Sequence, residues 1–189
     1  MAHAIGDTVN MSGDGVLIAD ILLEVGRADA ARNRFTQAHD LLAMSSAADE
    51  VKQDAVLGWH YDAARVALAK GNLHLARTEA VTYATGATAR HNDARIRQAH
   101  ELNGLVALAA KHYDEGLAEL ALADQQNPAV WSAKARAYTG RGELAKAQEL
   151  SDQAMHMNIL LTFPYVFTRA SLAASTRSAT SGNAVGRPH

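Results

Sequence analysis

A chain of 189 residues can bury one sizeable core or stack several small units without a covalent staple, so a single domain is the default. With no cysteine it can form neither a disulfide, nor a thiolate metal site, nor a catalytic thiol. A formal net charge of −2 and a pI near 6.5 give no electrostatic case for a nucleic acid or an anionic membrane as partner.

In chain order, MAHAIGDTVNMSGDG lacks the basic start and long apolar run of a secretory leader, and residues 1–11 read as an N-terminal extension. SGDG at 12–15 follows no strand and has no GK[ST] after it; it reads as a helix-initiating turn rather than a phosphate cradle. Beyond it, few prolines, abundant alanine and leucine, and no two-residue alternation predict helix throughout, so the class is all-α. The helical stretches fall near 16–25, 29–44, 51–70, 73–85, 91–110, 114–125, 129–139, 143–157 and 160–173, most of them joined by short turns that set neighbours antiparallel. SSAADEVKQD at 45–54 and TGATARHND at 85–93 read as the longer connections. The apolar ILLTFPYVFTRASLAAS suits a C-terminal capping helix, and 175–189, rich in Ser, Thr and Gly, reads as a flexible tail after a helical domain at 12–174. No segment reaches the length of uninterrupted apolar residues that a membrane span needs, so no membrane insertion is expected. The address stays open: the cytoplasm is the default, and a secreted or periplasmic chain whose leader had been removed would read the same.

The stretch HYDEGLAELALADQQNP, 112–128, recurs in register as GRADAARNRFTQAHDL from Gly26, GNLHLARTEAVTYA from Gly71 and GRGELAKAQELSDQAMHM from Gly140. Where two helices must cross, the four copies place Ala31, Ala76, Gly116 and Ala147. Seven residues later stand Ala38, Tyr83, Ala123 and Ala154. The turn before each is carried by Gly26, Gly71 or Gly142, with Lys111 in the remaining copy, and glycine there accepts the left-handed backbone that closes a helix.

With Trp131, Ala135, Tyr138, Leu144, Ala147 and Ala154 in one copy and Gly104, Tyr113, Ala123 and Pro128 in another, the chain resembles the tetratricopeptide repeat (TPR) family over about residues 12–158. The resemblance implies an α-solenoid of antiparallel helix pairs, wound as a right-handed superhelix, whose first helices line a concave groove for a protein or peptide partner. The intervals between crossing residues are 45 (Ala31 to Ala76), 40 (Ala76 to Gly116) and 31 (Gly116 to Ala147), against about 34 in a regular array, so longer first helices or longer linkers must absorb the excess. In the family's register the groove would carry Asp20, Tyr61, Arg65, Gln98, Glu101, Leu105, Ser132 and Arg136. Of these Tyr61, Arg65, Gln98, Glu101 and Arg136 are the candidate binding residues, because forked guanidinium donors beside an aromatic face suit an acidic or carboxylate-terminated peptide with an apolar anchor. The alternative is that these charges are solvated or paired with Glu101 and Asp20. The Lys/Asn set by which some family members clamp chaperone tails is missing.

No residue pattern calls for chemistry. HELNG at 100–104 begins like a zinc-protease helix but ends on Gly104; no GxSxG elbow occurs; and His91 and His100 are nine apart, on opposite helix faces. His60 and His100 share the early repeat position of Trp131, where packing is favoured over ligation. Neither a metal, a cofactor nor an enzymatic activity is expected. The functional expectation is a protein-binding scaffold, with a structural or regulatory repeat domain whose groove is filled by its own flanking segments as the alternative.

Overall fold

The computed structural model describes residues 2–157 and 168–173, and among these every regular element is a helix. The elements are α1 (Ala2–Glu24), α2 (Ala28–Ala43), α3 (Asp49–Ala69), α4 (Leu73–Ala89), α5 (Asp93–Ala109), α6 (Tyr113–Leu122), α7 (Pro128–Gly140) and α8 (Leu144–His156), with residues 168–173 also helical. No helix among the described residues is long and apolar enough to cross a membrane. The tail at 175–189 and most of the expected cap, 158–167, lie outside the described residues.

The turns explain the pairing. Gly26, Gly71 and Gly142 have φ of 77°, 71° and 80°, and Lys111 adopts 63° without being glycine. After each of these four residues the next N–H donates to the carbonyl five positions back: Arg27 to Leu22 at 2.8 Å, Asn72 to Ala67 at 2.8 Å, His112 to Ala107 at 2.9 Å and Glu143 to Tyr138 at 2.9 Å. That closure satisfies a terminal helix carbonyl and reverses the chain within a few residues. His91, with φ 51°, makes a left-handed turn between α4 and α5 that the residue type did not announce. Asn72, Asn92 and Asn127 each accept a hydrogen bond from an N–H of the helix they open, and Pro128 occupies the first turn of α7.

Each helix packs on the next in sequence, and α3 also touches α5, as α5 touches α7. The crossing residues are buried in all four copies, as are the residues seven further on. At the α5–α6 crossing a Cβ on Gly104 would lie 2.6 Å from Leu120 Cγ, and one on Gly116 would lie 3.3 Å from the Gly104 carbonyl oxygen, so only glycine allows this approach. The buried apolar residues form three clusters: Ala19, Ala31, Phe35 and Val66 among α1–α3; Leu57, Tyr83, Leu102, Val106 and neighbouring alanines among α3–α5; and Leu120, Ala123, Val130 and Ala133 among α6 and α7.

Two sequence expectations are corrected. There is no turn at SGDG: α1 runs unbroken from Ala2 through these residues, where Gly15 lets α2 approach (its added Cβ would sit 2.9 Å from Ala38 Cβ) and Ser12 Oγ donates to the Ala38 carbonyl at 2.8 Å. The glycine and serine serve a helix contact, not a turn. Likewise TGATARHND is mostly helix. Gly86 there leaves room for Leu57, whose Cδ1 would be 2.6 Å from a Cβ, and the hydroxyls of Thr85 and Thr88 donate to Val81 and Ala84 carbonyls. The surplus in the repeat intervals therefore resides largely in helices: α3 has 21 residues and α4 and α5 have 17 each, against 10 in α6 and 13 in α7 and in α8.

Candidate functional site

First helices α1, α3, α5 and α7 bring one side of each copy to a common hollow of about 680 Å³. Tyr61, Arg65, Gln98, Glu101 and Arg136 all line it, as do Asp20, Leu105 and Ser132. Glu24, Arg97 and Asn127 line it too and escaped the sequence reading, which considered only a few register positions per copy.

The five candidates are not equivalent. Arg65 Nη1 lies 2.6 Å from Asp20 Oδ1 and 3.8 Å from Asp62 Oδ1, while Nη2 lies 3.9 Å from Glu24 Oε1. Its guanidinium also sits over the Tyr61 ring, 5.4 Å from the centroid. Burial works against the charge of Arg65, but Tyr61 and Asp20 more than offset it, so its pKa is raised. Behind it lies Asp62, 6% exposed, whose Oδ2 is 3.1 Å from His39 Nε2. Burial raises the Asp62 pKa, against the hydrogen bond from His39 and the charge of Arg65. This chain of Asp20, Arg65, Asp62 and His39 ties α1 and α2 to α3. Arg65, for which the sequence leaves open both a ligand contact and pairing with Asp20, makes the pairing and is first of all a structural cation.

Tyr61 packs against Tyr83 at 5.3 Å between centroids, and burial followed by the Glu101 charge raises its pKa. Gln98 Oε1 accepts from the Tyr83 hydroxyl at 2.8 Å. Glu101 accepts from Asn127 Nδ2 at 3.2 Å; burial raises its pKa, opposed by Arg65 and Asn127.

Arg136 differs. It is solvent-exposed yet walled in by the surrounding helices, so desolvation lowers its pKa, with Glu24 acting the other way. Among the described residues it makes no hydrogen bond or ion pair, Glu24 acting on it only from beyond contact distance. The reason is positional. Asp20, Arg65, Leu105 and Arg136 each follow the small residue of their first helix (Ala19, Ala64, Gly104, Ala135), so they are one ladder down the groove. The rung before Arg65 is an aspartate; the rung before Arg136 is a leucine.

The histidines have a use that the sequence reading missed. His60 Nδ1 lies 2.6 Å from Glu79 Oε2 and His100 Nδ1 lies 2.8 Å from Glu119 Oε2, the same pair in two successive copies. The identical spacing of 19 residues was the available signal. Both pairs join the two helices of one copy. Among the described residues no group of three or more His, Asp or Glu is placed to hold a metal ion.

Comparison of the chain with family models, with curated proteins and with solved structures found no match. What the hollow can do therefore rests on its own geometry: a partly apolar wall carrying Asp20, Glu24, Glu101 and Asp124 beside Arg65, Arg97 and Arg136, in which Arg97 and Arg136 make no ion pair among the described residues.

Proposed function

We propose that the protein is a binding scaffold of the tetratricopeptide kind, a solenoid of helix pairs whose concave hollow holds an acidic segment of a protein partner. In-register crossings and left-handed turns support the repeat architecture. A single observation carries the binding site: Arg136, charged and open to solvent, stands in the hollow without an ion pair among the described residues, Glu24 acting on it only from beyond contact distance. A guanidinium so placed gains most from a carboxylate of the ligand, and desolvation by the walls strengthens that contact. Arg97, also exposed on the same wall, adds a second cation. Tyr61 and Leu105 offer apolar area. This is the work of a recognition surface and not of a catalyst.

The test is fluorescence anisotropy with a fluorescein-labelled, C-terminally amidated Asp/Glu-rich octapeptide titrated against the full chain. Saturable binding that Arg136→Gln weakens at least about tenfold supports the reading, since charge-assisted contacts contribute roughly 1.5–3 kcal/mol. Binding unaffected by the substitution removes the site from the hollow.

One observation favours the second reading, self-occupancy. Thr168 and Ser171, from the helical residues 168–173, line the same hollow. If that segment is the occupant, Ser171→Pro, which breaks its helix, raises peptide affinity. If the hollow serves a partner, the substitution leaves affinity unchanged.

A further inference from the structure

The three hydrophobic clusters do not end independently. Leu23 at the edge of the first, Leu68 at the edge of the second, and Leu105 and Leu108 at the edge of the third are all half-buried and line one chamber of about 450 Å³, together with Tyr113. A core normally closes over its own flank. Here three cores leave their flanks open to the same space, whose volume lies within the usual range of ligand pockets. Tyr113 cannot swing away to fill it, because its ring is packed on Gly140, where a Cβ would lie 2.3 Å from it.

The chamber shares the wall formed by Glu24, Arg65, Leu105 and Arg136 with the concave hollow. We propose that it is the anchor site of the acidic partner: one large aliphatic side chain enters the chamber while a neighbouring carboxylate pairs with Arg136. The inference rests on the reading of the hollow as a peptide site and adds to it what the partner must carry. Charge complementarity selects the occupant. Arg65 pairs with Asp20 and, at 3.9 Å, with Glu24, whereas Arg136 makes no ion pair among the described residues and feels Glu24 only from beyond contact distance, so the charge at the shared wall still open to a contact is positive, which suits an apolar residue flanked by acids and opposes one flanked by lysines. The apolar walls give such a residue its affinity and the guanidinium gives it its register.

Two labelled, amidated octapeptides separate the ideas: both Asp/Glu-rich, one with leucine and one with alanine at its centre, titrated against the full chain. The leucine peptide binds about tenfold or more tightly, from roughly 0.8 kcal/mol for each additional buried methylene. Ala109→Trp plugs the chamber from an exposed wall position at the end of α5, and circular dichroism checks its fold. In that variant the preference falls below about threefold, because the anchor then loses most of the burial that distinguished it. In Arg136→Gln both peptides weaken alike and the preference stays. If both peptides bind the unaltered chain equally, the chamber takes no anchor while the acidic reading survives. A preference that persists undiminished in a folded Ala109→Trp also overturns the inference. If neither peptide binds, the reading of the hollow falls and the anchor site with it.

Discussion

Arg65 and Arg136 occupy the same register position in their copies, yet the first is locked among Asp20, Asp62 and Tyr61 while the second makes no ion pair among the described residues and feels only the more distant Glu24. The difference arises one rung earlier on the ladder, where α1 offers Asp20 and α5 offers Leu105. In a repeat array each side chain meets its equivalents in neighbouring copies. Whether such an arginine is structural or available is therefore decided by the preceding copy, through Asp20 or Leu105, together with its own, where Tyr61 and Asp62 precede Arg65 but Ser132 and Ala133 precede Arg136.

The largest effect that would sharpen this contrast is on stability. Arg65→Ala leaves Asp62 buried with only His39 beside it, and removing one member of a largely buried ionic cluster costs about 3 kcal/mol. The melting temperature should fall by roughly 6–12 °C for a chain of this size. Arg136→Ala, measured alongside, should stay within about 0.5 kcal/mol of the parent chain. Equal losses in both would erase the distinction.

The two regions also differ in how their helices are joined: a buried ionic chain binds α1, α2 and α3, whereas α5 and α6, beyond the His100–Glu119 pair at their rim, cross on bare glycine. Gly104→Val should overpack against Leu120 and the Gly116 carbonyl and cost about 1–3 kcal/mol by urea denaturation. A variant as stable as the parent would show that this crossing is looser than its geometry.

A smaller effect is the pH dependence confined to the ionic region. Asp62 binds its proton more tightly folded than unfolded, so its contribution to stability is present in acid and is lost as pH rises from the unfolded value near 3.8 through the raised folded one. Relative to Asp62→Asn, the parent chain should lose stability across that rise, by about 1.4 kcal/mol for each tenfold tightening of proton binding. Parallel stability curves for the two would mean that Asp62 titrates alike folded and unfolded.

Much of this was legible in the sequence, for identifiable reasons. The crossing alanines and the glycine turns were readable because a helix contact and a left-handed turn each restrict the residue type sharply. Gly15 and Gly86 misled because the same residue also serves close packing within a helix, and only the partner helix, through Ala38 or Leu57, distinguishes the two uses. The groove candidates follow from their register, and the pairing of Arg65 with Asp20 is one of two readings the sequence leaves open; choosing between them needs the folded distance between residues 45 positions apart. Buried Asp62 and its contact with His39 left no local mark at all.

Arg136 is available because Leu105, and not an acid, precedes it on the ladder. Supplying the missing carboxylate tests it: Leu105→Asp should give Arg136 the internal partner that Asp20 gives Arg65, with Leu105→Asn as control for the lost side chain. Titrated with the alanine-centred acidic peptide, which needs no anchor, Leu105→Asp should bind about tenfold or more weakly than the parent and Leu105→Asn within about threefold, given roughly 1.5–3 kcal/mol for a charge-assisted contact. Undiminished binding by Leu105→Asp would contradict the account, because an arginine neutralised from within could not then be what holds the ligand.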